Sequence, residues 1–174
     1  NSNTTGAGNS FFGYATGIIN NGSNNTFIGN LSGFQANSTS STFVGYQSGY
    51  NTTGINNVFL GAFVGQSNTT GENNTYIGYG AGYSNISGVN NVFVGYQSGY
   101  NETGSNKLYI SNSNTSNPLI YGEFNNSLLK INCNLYISGM TNDDTPTDIV
   151  YYNSTTKKLT YGAKPSGCSS TSYQ

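Results

Sequence analysis

From residue 9 to about residue 111 the chain alternates short apolar stretches with longer polar ones in a fixed rhythm. The apolar stretches sit in the segments SFFGYATG, TFIGNLSG, TFVGYQSG, VFLGAFVG, TYIGYGAG and VFVGYQSG. Their first glycines are Gly13, Gly29, Gly45, Gly61, Gly78 and Gly95, spaced 16, 16, 16, 17 and 17 residues apart. A second glycine follows four residues later each time, at Gly17, Gly33, Gly49, Gly65, Gly82 and Gly99. A degenerate seventh copy, KLYIS, begins at Lys107.

A period of 16–17 residues is too short for helix-pair repeats or propeller blades. It predicts an all-β fold, a parallel β-solenoid or β-roll, each coil holding two short strands and two turns. Stacked coils satisfy one another's backbone hydrogen bonds at ~4.8 Å per rung. The first glycines mark coil corners that need a positive φ or a close backbone approach. Asn9, Asn25, Asn57, Asn74 and Asn91 precede the strands, with Ser41 as the exception. Stacked at one corner, such amides are expected to form a ladder.

Side chains in a strand alternate between two faces. One column is Phe11, Phe27, Phe43, Phe59, Tyr76 and Phe93; the next is Phe12, Ile28, Val44, Leu60, Ile77 and Val94. Both are apolar, yet a coil has a single interior. The other column predicts an interface, because a soluble monomer rarely exposes so long an apolar strip. Self-association, as an oligomer or a closely packed filament, follows. The pattern does not say which column is core and which is interface. Tyrosines in the second half of each coil are expected to cover the outside with their hydroxyls in water.

Beyond Lys107 the period fades. LIYGEF, LLKINCNLYISG and DIVYYNSTTKKLTYG read as strands, with NSTTKK as a hairpin tip. The expected organisation is a connection from a preceding segment over 1–8, solenoid coils over 9–111 and a small β-rich cap or fibre end over 112–174.

Composition narrows the function. The 174 residues include 24 Gly, 15 Tyr and 9 Phe but no Trp and no His; charged residues make up 6 % and the net charge is -1. Such a chain offers no basic patch to nucleic acid, no polybasic stretch to anionic lipid and no apolar run long enough to span a bilayer. Without histidine no His-based triad or acid–base pair exists. Glu72, Glu102 and Glu123 are scattered, and the glycines spell no phosphate loop. The expectation is no enzyme, no catalytic residue, no cofactor and no metal. Asp143, Asp144 and Asp148 read as a turn-rich loop in preference to a calcium site. Cys133 and Cys168 lack metal-site spacing and are either isolated thiols or a disulfide of an extracellular protein. With neither an initiator Met nor a signal peptide, the chain reads as processed or as a piece of a longer one.

Thirteen Asn-x-Ser/Thr sequons stand at Asn3, Asn21, Asn24, Asn30, Asn37, Asn51, Asn68, Asn73, Asn85, Asn101, Asn114, Asn125 and Asn153. Asn21, Asn37, Asn51, Asn68, Asn85 and Asn101 each fall two to four residues after a second glycine. They are expected in one outer loop per rung, where a secreted protein can carry N-glycans.

The repeats resemble the heads of trimeric autotransporter adhesins, where an aliphatic strand ending in Gly, a small-residue segment and a second Gly build a left-handed parallel β-roll. NNVFVGYQSGYNETG follows that plan, with aromatic residues where those heads carry Ala and with longer coils. The segment GSNKLYISNSNTSNPLIYGEF is similar to stretches that follow such repeats in viral and phage tail fibres. DIVYYNSTTKKLTYG resembles the stretch upstream of an endosialidase-type intramolecular chaperone, which implies trimeric assembly and release by cleavage near SSTSYQ. The resemblance implies a structural extracellular fibre or adhesin-like appendage on a virion or cell surface. The alternatives are a module binding a cell-surface glycan or receptor, and an end-to-end filament.

Overall fold

The computed structural model describes residues 5–134, 148–153 and 158–163. The chain divides into two compact units, Asn1–Asn134 and Leu135–Gln174. The first unit holds one nine-stranded sheet. Its parallel strands are β1 (Ser10–Phe12), β2 (Thr26–Ile28), β3 (Thr42–Val44), β4 (Val58–Leu60), β5 (Thr75–Ile77), β6 (Val92–Val94) and β7 (Lys107–Ile110). Two further strands, β8 (Ile120–Glu123) and β9 (Leu128–Ile131), continue the sheet antiparallel beyond β7. In the second unit β10 (Asp148–Asn153) pairs antiparallel with β11 (Lys158–Ala163), the hairpin that the sequence predicts.

The parallel β-solenoid is therefore present, one strand to a coil, in the register that the glycines mark. The predicted second strand of each coil is absent. From Gly45 the backbone turns at φ 132, then at Gln47 with φ 53 and Gly49 with φ 58, and alternate positive φ values exclude an extended strand. Rung-to-rung pairing persists through these turns. Gln47 N–H donates back to Asn30 C=O at 3.1 Å and Gly49 N–H donates forward to Val64 C=O at 3.0 Å.

The register settles which column is the core. Phe27, Phe43, Phe59, Tyr76 and Phe93 are fully buried, and Phe11 packs partly buried against them. Successive rings from Phe11 to Phe93 stack with centroids 4.9, 4.6, 5.0, 4.9 and 4.7 Å apart and interplanar angles of 6 to 15°. That spacing is the rung spacing itself, so one ring per coil fills the interior. The stack ends at Tyr109, which meets Phe93 edge-on at 80°. The second glycines make room for it: a Cβ at Gly49 would lie 2.6 Å from the Phe43 ring.

The polar interior is built from side chains that bind backbone one rung on. Asn74 Oδ1 accepts the N–H of Asn91 at 2.9 Å, and its Nδ2 donates to Gly88 C=O at 2.8 Å. Asn57 and Asn91 repeat both contacts. The ladder is thus chiefly amide to backbone, with one direct amide contact from Asn25 Nδ2 to Asn9 Oδ1 at 3.1 Å. At the exception, two hydroxyls replace one amide. Ser41 Oγ accepts Asn57 N–H at 3.1 Å, contacts Ser38 Oγ at 2.6 Å, and Ser38 Oγ donates to Gly54 C=O. Ser38 occupies the place that Gly22, Gly54, Gly71, Gly88 and Gly104 hold in other coils. Coils of 16 and 17 residues stack without loss of register; where the two kinds meet, Thr53 and Gly54 N–H both donate to Thr69 C=O, so the added residue stays in that one corner at Thr69 and Thr70.

Tyr76 is the single hydroxyl in the buried stack. Its oxygen makes no hydrogen bond of good geometry among the described residues; burial pushes its pKa up, and the Asn91 side chain beside it offsets that only in part. A buried polar group left unpaired costs ~1–3 kcal/mol. Tyr76→Phe is expected to stabilise the fold by about that amount. It would read as a higher denaturation midpoint at unchanged slope; an unchanged or lower midpoint would contradict it.

Candidate binding surfaces

The outward side of each strand carries its first and third residues. In β2 to β6 these are Thr26 and Ile28, Thr42 and Val44, Val58 and Leu60, Thr75 and Ile77, and Val92 and Val94. None is charged. Ile28, Leu60 and Ile77 are 40, 36 and 38 % exposed, and Phe12 at the end of the row is 77 % exposed. This is the apolar column that the interior does not take. Beside it Tyr14, Tyr46, Tyr79 and Tyr96 are exposed, as the sequence predicts for tyrosines on the outside.

The sequons do not share one environment. Asn21, Asn24, Asn37, Asn73, Asn101, Asn114 and Asn125 are exposed, and Asn51 is half-buried. Asn68 and Asn85 are 0 % exposed, which corrects the expectation of an outer loop for both. They stand three residues after the second glycine, in line with Asn20, Ala36 and Thr52, all buried. Asn68 Nδ2 donates to Asn85 C=O at 3.0 Å, and Asn85 Nδ2 donates to Glu102 C=O at 3.0 Å and Gly104 C=O at 3.1 Å. A glycan is attached at that same nitrogen, so the folded chain has no room for one there. Asn153 lies in β10, and Asn3 lies outside the described residues.

Charge gathers where the solenoid is capped. Tyr109 donates to Glu102 Oε2 at 2.7 Å, and Lys107 Nζ lies 3.0 Å from Glu123 Oε1 and 3.1 Å from the Tyr121 hydroxyl. Tyr121 and Asn126 also donate to Glu123. These donors, Tyr121 first, hold the Glu123 carboxyl down at about 2. Burial and the neighbouring Glu102 carboxylate push the Tyr109 phenol up. The cluster joins β7 to β8 and uses its own groups on one another. Glu102 and Glu123, scattered in sequence, thus meet in one cap; Glu72 is half-buried in a coil turn.

Among the described residues no group of three or more His, Cys, Asp or Glu is placed to hold a metal ion. Asp148 belongs to β10, and the loop with Asp143 and Asp144 lies outside the described residues. Cys133 is exposed, while Cys168 lies outside them too. No described helix is long and apolar enough to cross a membrane. A hollow of about 290 Å³ opens among Phe63, Tyr79, Tyr83 and Tyr100. The sequence reading missed it; a lone glycine, Gly80, in a column of side chains was its signal. No protein-family model matches the chain, and neither a curated protein nor a solved structure matches it.

Proposed function

We propose that the chain is a structural element of an extracellular fibre or surface appendage, assembled from parallel copies through the outer face of its sheet. One observation carries this. The inward column is filled by the chain's own rings, and the outward column is equally apolar, uncharged and left open along every rung. A second copy in parallel register offers the same rows at the same ~4.8 Å spacing. Fully burying an exposed Leu or Ile side chain contributes ~1.5–3 kcal/mol, and the part of these side chains still in water, 40 % at Ile28, leaves roughly 1 kcal/mol each to gain. Six such positions per chain, over every copy in contact, act against the entropy lost on association. Trimeric assembly and an extracellular setting rest on the resemblance to adhesin heads and tail fibres. A filament of parallel rungs stacked end to end fits less well, because antiparallel β8 already occupies the edge of β7.

Light scattering on the intact chain tests the reading. The expected mass is a multiple of one chain, three by the resemblance. Leu60→Lys with Ile77→Lys should yield monomer with an unchanged circular dichroism spectrum, since both side chains already reach solvent. A wild-type monomer, or a double variant that assembles as before, would overturn it.

A further inference from the structure

Gly80 interrupts a column. The residue two places after each first glycine is Ala15, Leu31, Gln47, Phe63, Gly80 and Gln97. All six share a left-handed backbone, with φ from 51 to 62. Five of them carry side chains in that conformation, so the backbone does not demand glycine at 80. Space does not demand it either. A Cβ there would stand 3.4 Å from the Tyr100 ring and 3.6 Å from Gln97 Cγ, which is ordinary contact. The core glycines differ: a Cβ at Gly82 would lie 2.5 Å from the Tyr76 ring. The missing side chain leaves the hollow of about 290 Å³ between Phe63 on the rung before and Gln97 on the rung after.

The walls of the notch have two chemistries. Tyr83 and Tyr100 stack 4.7 Å apart at 6°, and Tyr79 meets Phe63 edge-on at 5.7 Å, so the rings are braced. Gln66 and Gln97 bring amides. Gln66 Nε2 donates to Gln47 Oε1 at 2.7 Å, while its Oε1 is buried with no hydrogen-bond partner among the described residues. No charged side chain lines the notch. An anionic ligand would therefore meet no cation, and a cationic one no carboxylate. Fixed aromatic faces with a few amides suit a neutral ring whose faces are apolar and whose rim bears hydroxyls. Small-molecule pockets run from ~300 to 1,000 Å³, and the lower end suits one ring better than an oligomer.

We propose that the notch at Gly80 binds a single neutral pyranose, its ring face against the tyrosines and its hydroxyls on the Gln66 and Gln97 amides. The site gives one coil of the solenoid a function that the others lack, and it does not depend on the fibre reading.

The test titrates the full chain with the methyl pyranosides of glucose, galactose, mannose and N-acetylglucosamine, following tyrosine ring signals by NMR. At least one should saturate, with a millimolar dissociation constant, moving Tyr83 and Tyr100 and leaving Tyr14 in place. Gly80→Gln should weaken that binding tenfold or more and still fold, with only a small loss of melting temperature, since Gln47 and Gln97 hold the same residue at a similar left-handed φ. Tyr100→Leu, which keeps bulk and removes the ring, should do the same and stands in if Gly80→Gln misfolds. No saturation by any of the four sugars, as when a second copy seals the notch, overturns the proposal. Equal binding by the wild type and a folded variant overturns it as well. The oligomeric mass reads separately and decides the fibre reading alone.

Discussion

Phe59→Ala is expected to destabilise the solenoid by ~3–5 kcal/mol, the range for removing a buried ring. Phe59 is sandwiched, with Phe43 5.0 Å away on one side and Tyr76 4.9 Å away on the other. Truncation opens a cavity one ring wide and severs the stack at its middle. In a one-dimensional array each coil is held by its neighbours, so both adjoining interfaces weaken together. Domains have only ~5–15 kcal/mol to lose. Phe11→Ala should cost clearly less, because that ring stacks on one neighbour and is only half-buried. Urea unfolding followed by circular dichroism compares the two. A Phe59→Ala protein within about 1 kcal/mol of wild type would contradict an interior stack whose truncations cost ~3–5 kcal/mol.

Asn74→Ala is expected to be nearly as damaging without removing any apolar surface. It orphans the buried N–H of Asn91 and the C=O of Gly88, which Asn74 binds at 2.9 and 2.8 Å. Each orphan costs ~1–3 kcal/mol, so about 2–6 together. Asn74→Asp separates the two contacts. Its carboxylate still accepts from Asn91 but faces the Gly88 carbonyl, oxygen to oxygen. Burial and that contact would raise its folded pKa above the unfolded value, so the penalty applies at neutral pH. It should lift as the pH falls through the raised pKa and the protonated acid donates to Gly88. Denaturation midpoints of the three proteins at neutral and acid pH check both statements. An Asn74→Asp variant that is no better in acid would place the strength of the ladder elsewhere.

Both predictions depend on features of unequal legibility. The coil, its register and its ring column follow from spacing, because glycine every 16 or 17 residues leaves few other folds. The assignment of faces did not follow: Phe27 and Ile28 are both apolar, and only a closed coil decides which one turns inward. The sequons misled for a related reason. Asn, Ser and Thr fill exposed turns and buried rungs alike, so Asn68 and Asn85 look like Asn37. Their column carried the clue, since Ala36 and Thr52 occupy the same rung position and an alanine at a supposed loop tip marks an inside place. The hollow at Gly80 was hidden because seventeen other glycines within residues 9–111 serve the backbone or the packing. The second strand of each coil failed on backbone grounds, as positive φ at residues such as Gln47 is not written in residue type.

The corner at Thr69 and Thr70 has a consequence for how such a chain changes over generations. A residue added there stays local, and the next Asn finds its partner as before, Asn57 Oδ1 to Asn74 N–H. Substitution within the stack is a different matter. Ser38 and Ser41 do one amide's work only as a pair, so either exchanged alone would pass through a defective intermediate. The molecule is thus divided into a frame that changes by coupled steps and a border that varies freely, and novelty collects along the border.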